Sequence, residues 1–131
     1  MQRLARLPAA ALLLVGGLVH LQLWKGGYRG IPYIGTLFLL NAAASAFIAV
    51  ALVATASRWV ILPAIGLALG SLAGLVMSRT VGLLGFMESA WTPASLRSIA
   101  AEVGAIVAIA LVVVMNRLQR LALLPVSTKR R

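Results

Sequence analysis

Residues 34–78 read "IGTLFLLNAAASAFIAVALVATASRWVILPAIGLALGSLAGLVMS", and their reading decides the fold. Two continuously apolar runs, at about 34–56 and about 60–80, are parted only by "ASRW" at 56–59. Each matches the roughly 20 residues that a helix needs to cross a bilayer. So short a connection makes the two helices antiparallel neighbours. Two more runs lie outside them, at about 7–24 and about 95–116. None shows the alternation in strands of about ten residues that a barrel requires. Helices satisfy their own backbone polar groups, so they are the expected spanning form. The reading is all-α: one transmembrane four-helix bundle, with 117–131 as a basic cytoplasmic tail.

Composition agrees. Of 131 residues, 62% are hydrophobic and 11% charged, and the mean hydropathy is +1.03. Soluble domains carry about 25% charged residues, so this chain lacks the polar surface to dissolve. Twelve Lys and Arg face two carboxylates, for a net charge of +10. These basic residues fall between and outside the apolar runs, which fits membrane orientation and leaves no basic stripe to serve nucleic acid. The absence of cysteine excludes disulfides, thiolate catalysis and Cys-ligated metal centres.

Arg3 and Arg6 followed by "AAALLLVGGLV" resemble the start of a signal peptide. "HLQLWKGG" follows where a small-x-small cleavage site would stand, so a retained helix is expected. Arg3, Arg6, Arg58, Arg117, Arg120, Lys129, Arg130 and Arg131 fall on one side of the spans, against Lys25, Arg29, Arg79 and Arg97 on the other. The positive-inside rule then puts both termini in the cytoplasm of a multi-pass plasma-membrane protein, with the loops after the first and third helices outside. Trp24, Tyr28, Tyr33, Trp59 and Trp91 lie at run ends, where amphipathic rings favour the headgroup layer. Pro63 is expected in the first turn of the third helix, and Thr92 or Ser95 as the cap of the fourth.

Helices surrounded by lipid associate through small residues that let backbones approach. Gly66, Gly70 and Gly74 repeat every fourth residue on the third helix, and Ala100, Gly104 and Ala108 do so on the fourth. These are expected to pack against helices of the same chain. A second copy is the other partner in view.

Ionisable groups within spans are costly and mark candidate sites. His20 lies one turn below the outer end of the first helix and Asn41 about two turns below the outer start of the second. Arg79 closes the third, and Glu102 lies nearly two turns into the fourth. Opposing helix directions place all four in one layer of the outer leaflet. The expectation is that Arg79 pairs with Glu102, offsetting the desolvation of both, while His20 and Asn41 add hydrogen bonds. Arg79 snorkelling to lipid phosphate is the competing reading. Glu88 is read as a solvated loop residue.

The strings "HLQLWKGGYRGIPYIGTLFLLN" (20–41) and "SRTVGLLGFMESAWTPASLRSIAAE" (78–102) resemble small four-helix membrane proteins of actinobacteria, a family without a settled activity. The resemblance implies the same architecture and a candidate set of His20, Tyr28, Arg29, Pro32, Asn41, Arg79, Gly82, Glu88 and Glu102. Leu84 stands where the family's second loop has proline, which puts that turn's geometry in question.

Three function classes remain. The leading one is a non-enzymatic accessory or assembly subunit, with the lipid bilayer, other membrane proteins or a second copy as partners. A small proton, ion or solute transporter is the second. A haem- or quinone-binding redox protein is the third, with His20 the one histidine ligand. No nucleophile–His–carboxylate spacing, phosphate loop or metal-ligand cluster is present, so the reading leans away from an enzyme.

Overall fold

A computed structural model describes residues 4–122, so Arg3 and the tail residues Lys129, Arg130 and Arg131 lie outside the described residues. A 3-10 turn over Leu4–Arg6 leads into α1 (Leu7–Lys25), with Pro8 in the first turn, where its missing N–H costs nothing. Then come α2 (Ile34–Ala54), α3 (Arg58–Thr80) and α4 (Pro93–Ala122). All four are long and apolar enough to cross a membrane. The chain is an all-α bundle, and its helices are those of a multi-pass membrane protein. We call the end with the 26–33 and 81–92 connections the loop end, and the other the terminal end.

Local chemistry sets the helix limits. The Gly26 N–H donates to the Gln22 carbonyl at 2.8 Å, and Gly27 takes a φ of 131°, so α1 stops at this glycine pair. The connection then folds back onto α2 so closely that a Cβ at Gly35 would stand 2.7 Å from the Arg29 carbonyl oxygen. Ser57 caps α3, its Oγ accepting from the Trp59 N–H at 3.2 Å. That cap starts α3 two residues earlier than the apolar run suggests, so Pro63 lies inside the helix rather than in its first turn. Thr92 caps α4: its Oγ1 accepts from the Ser95 N–H at 3.2 Å, and Ser95 Oγ accepts from the Thr92 N–H at 3.0 Å.

Two lengths relate the bundle to a bilayer. The Arg58 guanidinium sits 5.0 Å from the centre of the Trp59 ring, and the Arg79 guanidinium 4.6 Å from that of Trp91. These arginines bracket α3, about 32 Å apart at 1.5 Å per residue, against a hydrocarbon core of about 30 Å. The fourth helix, by contrast, has 30 residues and is about 45 Å long. It passes the expected end at 116, so Arg117 and Arg120 ride on a helix and do not belong to a free tail.

The segment containing α1 is the most buried of the four and α3 the least, so α1 is the hub and α3 the peripheral helix. Small residues let α1 approach its neighbours. A Cβ at Gly17 would lie 2.6 Å from the Ser45 Cβ on α2, and one at Gly16 would lie 2.9 Å from Glu102 Oε1 on α4. Gly104 meets Leu12 in the same way, at 3.1 Å. Towards the terminal end, Ala9, Ala10, Leu13, Ala49, Leu52, Ala64, Ala105 and Ile109 form a packed apolar core. Each turn of α4 contributes to one buried stripe: Ser95, Ser98, Glu102, Ala105, Ile109 and Val112.

Candidate functional site

The glycine ladder does not do what its spacing suggests. A Cβ added at Gly66 or Gly70 would meet nothing within 4 Å, and one at Gly74 would touch only the Leu83 side chain at 3.5 Å. The expectation that Gly66 and Gly70 pack against a helix of this chain is therefore corrected. They line a partly open cavity of about 430 Å³ between α2 and α3, as does Gly74. Of the four glycines expected to pack helices, Gly104 does so.

The cavity is a slot with two unlike ends. On α3 it runs from Gly66 to Arg79, about 20 Å at the helical rise. The lower part is walled by Leu40, Ala44, Gly66, Leu67 and Gly70. The upper part gathers His20, Tyr28, Ser78, Arg79, Glu88, Thr92, Ser95 and Ser98 beside Phe38 and Phe86.

Between the two parts lies a crossbar. The Asn41 Nδ2 on α2 donates to Ser71 Oγ on α3 at 2.6 Å, and the Ser71 hydroxyl donates to the Leu67 carbonyl at 2.9 Å. Ser45 Oγ donates to Asn41 Oδ1 at 3.3 Å. Glu102 on α4 lies near Ser71, so the hydrogen-bonded group is Ser45, Asn41 and Ser71 on α2 and α3.

Arg79 and Glu102 do not pair, which corrects the central expectation for the site. Arg79 lies in the last turn of α3 and reaches towards the loop. Its Nη2 donates to the Ala90 carbonyl at 3.0 Å, its Nη1 to the Leu75 carbonyl at 3.4 Å, and its plane covers Trp91. Its Nε is buried without a partner among the described residues, as is Arg6 Nε near the terminal end. Glu102, 3% exposed, sits on the stripe of α4 that faces α1, against Gly16 and near Ser71. Glu102 lies at the level of Ser71, about 12 Å below Arg79 along α3, so the two share neither a height nor a direction.

His20 is 8% exposed, and its Nδ1 lies 2.8 Å from the Gly16 carbonyl. A carbonyl only accepts, so Nδ1 carries the hydrogen, and in the neutral ring Nε2 is left as a bare acceptor. The ring meets Phe38 edge-on at 5.2 Å, and Tyr28 stacks on the other side of the group, also 5.2 Å from Phe38.

Tyr28 and Glu88 close the top. The Tyr28 hydroxyl donates to Glu88 Oε2 at 2.7 Å, and Glu88 Oε1 accepts from the Ala90 N–H at 2.9 Å. The Tyr28 bond, then the Ala90 N–H and the nearby Arg79 charge, hold the Glu88 carboxyl below its usual range. Burial first, then the bond to Glu88, pushes the Tyr28 hydroxyl up to about 12. Glu88 is thus a structural member of the roof, not a solvated bystander. Beneath it, the Glu88 N–H donates to the Ser78 carbonyl at 2.9 Å, and Leu83 and Phe86 pair across a tight turn. Leu84 takes a φ of 50° in that turn, a value closed to proline, whose ring holds φ near −65°. Gly82 adopts a φ of 84° in the same turn, while the Arg29 side chain is exposed and lines no part of the slot.

The slot therefore unites His20, Asn41, Arg79, Tyr28 and Glu88, and leaves Glu102 behind its wall. Ser78 and Thr92 are lining residues that the spacing of charged groups did not reveal; their one signal is their place at helix ends. No family model, no curated protein and no solved structure matches the chain.

Proposed function

We propose that this protein binds an amphiphile drawn from the lipid phase, holding its head under the Tyr28–Glu88 roof and its chain along Gly66 and Gly70. The observation that carries the reading is the graded slot: glycine and leucine at one end, hydrogen-bonding groups at the other, within the 300–1,000 Å³ usual for small-molecule sites. Glycine supports it because a missing side chain leaves room for a chain to lie against the backbone.

Binding is favoured over conduction. The core of Ala9, Leu13, Ala49, Leu52, Ala105 and Ile109 fills the terminal half, and the polar groups of the slot all lie above it. A transported ion or proton would meet no polar step there. In our reading the loop end faces outward from the plasma membrane, in accord with the basic residues, and kinship with the small actinobacterial four-helix proteins rests on the strings at 20–41 and 78–102.

An accessory or assembly role is the second reading. It is favoured by the low burial of α3, whose outer face is free for a partner helix. The two readings separate in one experiment: purification from native membranes in mild detergent, then mass spectrometry of lipids and proteins together. The binding reading expects a defined lipid-phase molecule retained by the wild type and lost on Gly70→Leu. Retention of a stoichiometric protein with no such molecule overturns it in favour of the second.

A further inference from the structure

Resting on the binding reading, the polar groups of the slot say which kind of head it takes. We infer that the ligand head is uncharged and bears a ring hydroxyl, of the phenol or hydroquinone kind, which donates to His20 Nε2. Three observations converge on this.

The first is the tautomer. The bond to the Gly16 carbonyl fixes the hydrogen on Nδ1, and Nε2 has no partner among the described residues. His20 lines the slot, so the neutral ring offers a lone pair where the head would lie. An acceptor that opens into a largely apolar slot gains most from a donor placed there, so a head with an O–H satisfies it and a head without one does not.

Charge is the second. Arg79 is the cation of the slot, and a phosphate or carboxylate head is the obvious guess. Yet Arg79 Nη1 and Nη2 already serve the Leu75 and Ala90 carbonyls, its plane covers Trp91, and Glu88 lies close enough to feel its charge, so Nε is the donor left for a ligand. The mouth carries one positive and one negative group. An anionic head would gain from Arg79 and lose to Glu88. A neutral head can still accept from Arg79.

Third is shape. Phe38 sits between the His20 edge and the Tyr28 face, and Phe86 meets Tyr28 at 5.8 Å in a T-shaped contact. These rings make an aromatic wall, to which a flat ring is complementary through stacking or edge contacts. Below it the apolar part of the slot suits a hydrocarbon tail.

The test uses the full-length protein in nanodiscs of neutral lipid, under anaerobic conditions, with three probes: decyl-hydroquinone, its dimethyl ether, and phosphatidylglycerol. Binding is read by tryptophan fluorescence, to which Trp91 is well placed, and by calorimetry. The hydroquinone is expected to bind about tenfold more tightly than the ether, the worth of one hydrogen bond to an otherwise unpaired acceptor. His20→Asn should erase that difference, because its amide can still reach the Gly16 carbonyl but has nothing in the place of Nε2. His20→Phe, which keeps the ring contact with Phe38, should erase it too. If the ether binds as well as the hydroquinone, or phosphatidylglycerol displaces it at equal concentration, the head assignment is overturned while the slot still binds amphiphiles. If no probe binds, and native purification also retains nothing, the binding reading falls with it.

Discussion

The Tyr28 hydroxyl and the Glu88 carboxylate, sixty residues apart in the chain, meet at 2.7 Å and tie the two loops of one bundle end together. Tyr28→Phe removes that tie while keeping the ring on Phe38. It should cost on the order of 1 kcal/mol or less, since both groups are partly solvated. Amide exchange in 81–92 should rise, with α1 and α2 unchanged. Unaltered exchange there would show that the loops hold without the bond.

The same tie has a pH signature. Glu88 is held below its ordinary range, so its contribution is present above the unfolded-state value and is lost as pH falls through the depressed one. Tyr28 is raised from 10.0 to about 12, so its contribution is present below the unfolded value and fades as pH climbs through that interval. Protection of the 81–92 loop should be flat from about pH 5 to 9 and fall on the acid side. Glu88→Gln should abolish the acid limb. An acid limb that persists in Glu88→Gln would assign it to another group.

Two glycines of the same residue type should answer oppositely. Gly17→Ala forces a Cβ to within 2.6 Å of the Ser45 Cβ, and should destabilise by about 1–3 kcal/mol. Gly70→Ala meets open space, so the better helix propensity should stabilise the empty protein by up to about 1 kcal/mol. Thermal unfolding in detergent checks both. Strong destabilisation by Gly70→Ala would mean that another helix occupies this face.

Arg79 and Glu102 should behave as independent sites. Arg79→Gln and Glu102→Gln, combined in a double-mutant cycle, should add to within about 0.5 kcal/mol. A coupling of 2 kcal/mol or more, the scale of a broken buried pair, would restore the ion pair that the structure replaces with Arg79–Ala90 and Glu102–Gly16 contacts.

Asn41→Leu should cost about 1–2 kcal/mol and loosen α3 specifically, because the 2.6 Å bond to Ser71 joins that peripheral helix to α2. Ser71 keeps its bond to the Leu67 carbonyl, while the buried Ser45 hydroxyl loses its acceptor, which is part of the cost. Cysteine cross-linking across α2 and α3 reports the change. An unchanged cross-linking pattern would leave the crossbar without a structural role.

The spans and their order were legible because length and apolarity alone decide whether a helix can cross a bilayer. Heights were legible only in part: counting residues puts His20, Asn41, Arg79 and Glu102 in one half of the bundle, but Asn41 and Glu102 meet α3 at Ser71, about 12 Å below Arg79. Direction was not. Nothing in the spacing says that Arg79 turns to the loop while Glu102 turns to Gly16, since that depends on which neighbour each face meets. The glycines of α3 illustrate a related ambiguity. Four-residue spacing places them on one face, but a face without side chains serves contact and vacancy equally well. Glu88 was illegible for a third reason: loops have no period, and its partner Tyr28 lies in another loop. Pro63 and the far end of α4 moved because a single cap at Ser57 and continued helix propensity past Met115 outweigh the hydropathy boundary.

The alanine-rich plug below the slot makes the molecule lopsided in a way that matters for experiments. The packed core closes the slot towards the terminal end, so an impermeant quencher or competitor offered to that face of a vesicle should fail to reach the polar groups at the loop end. In reconstituted membranes of mixed insertion, half the population should therefore stay silent to any such reagent until the bilayer is breached.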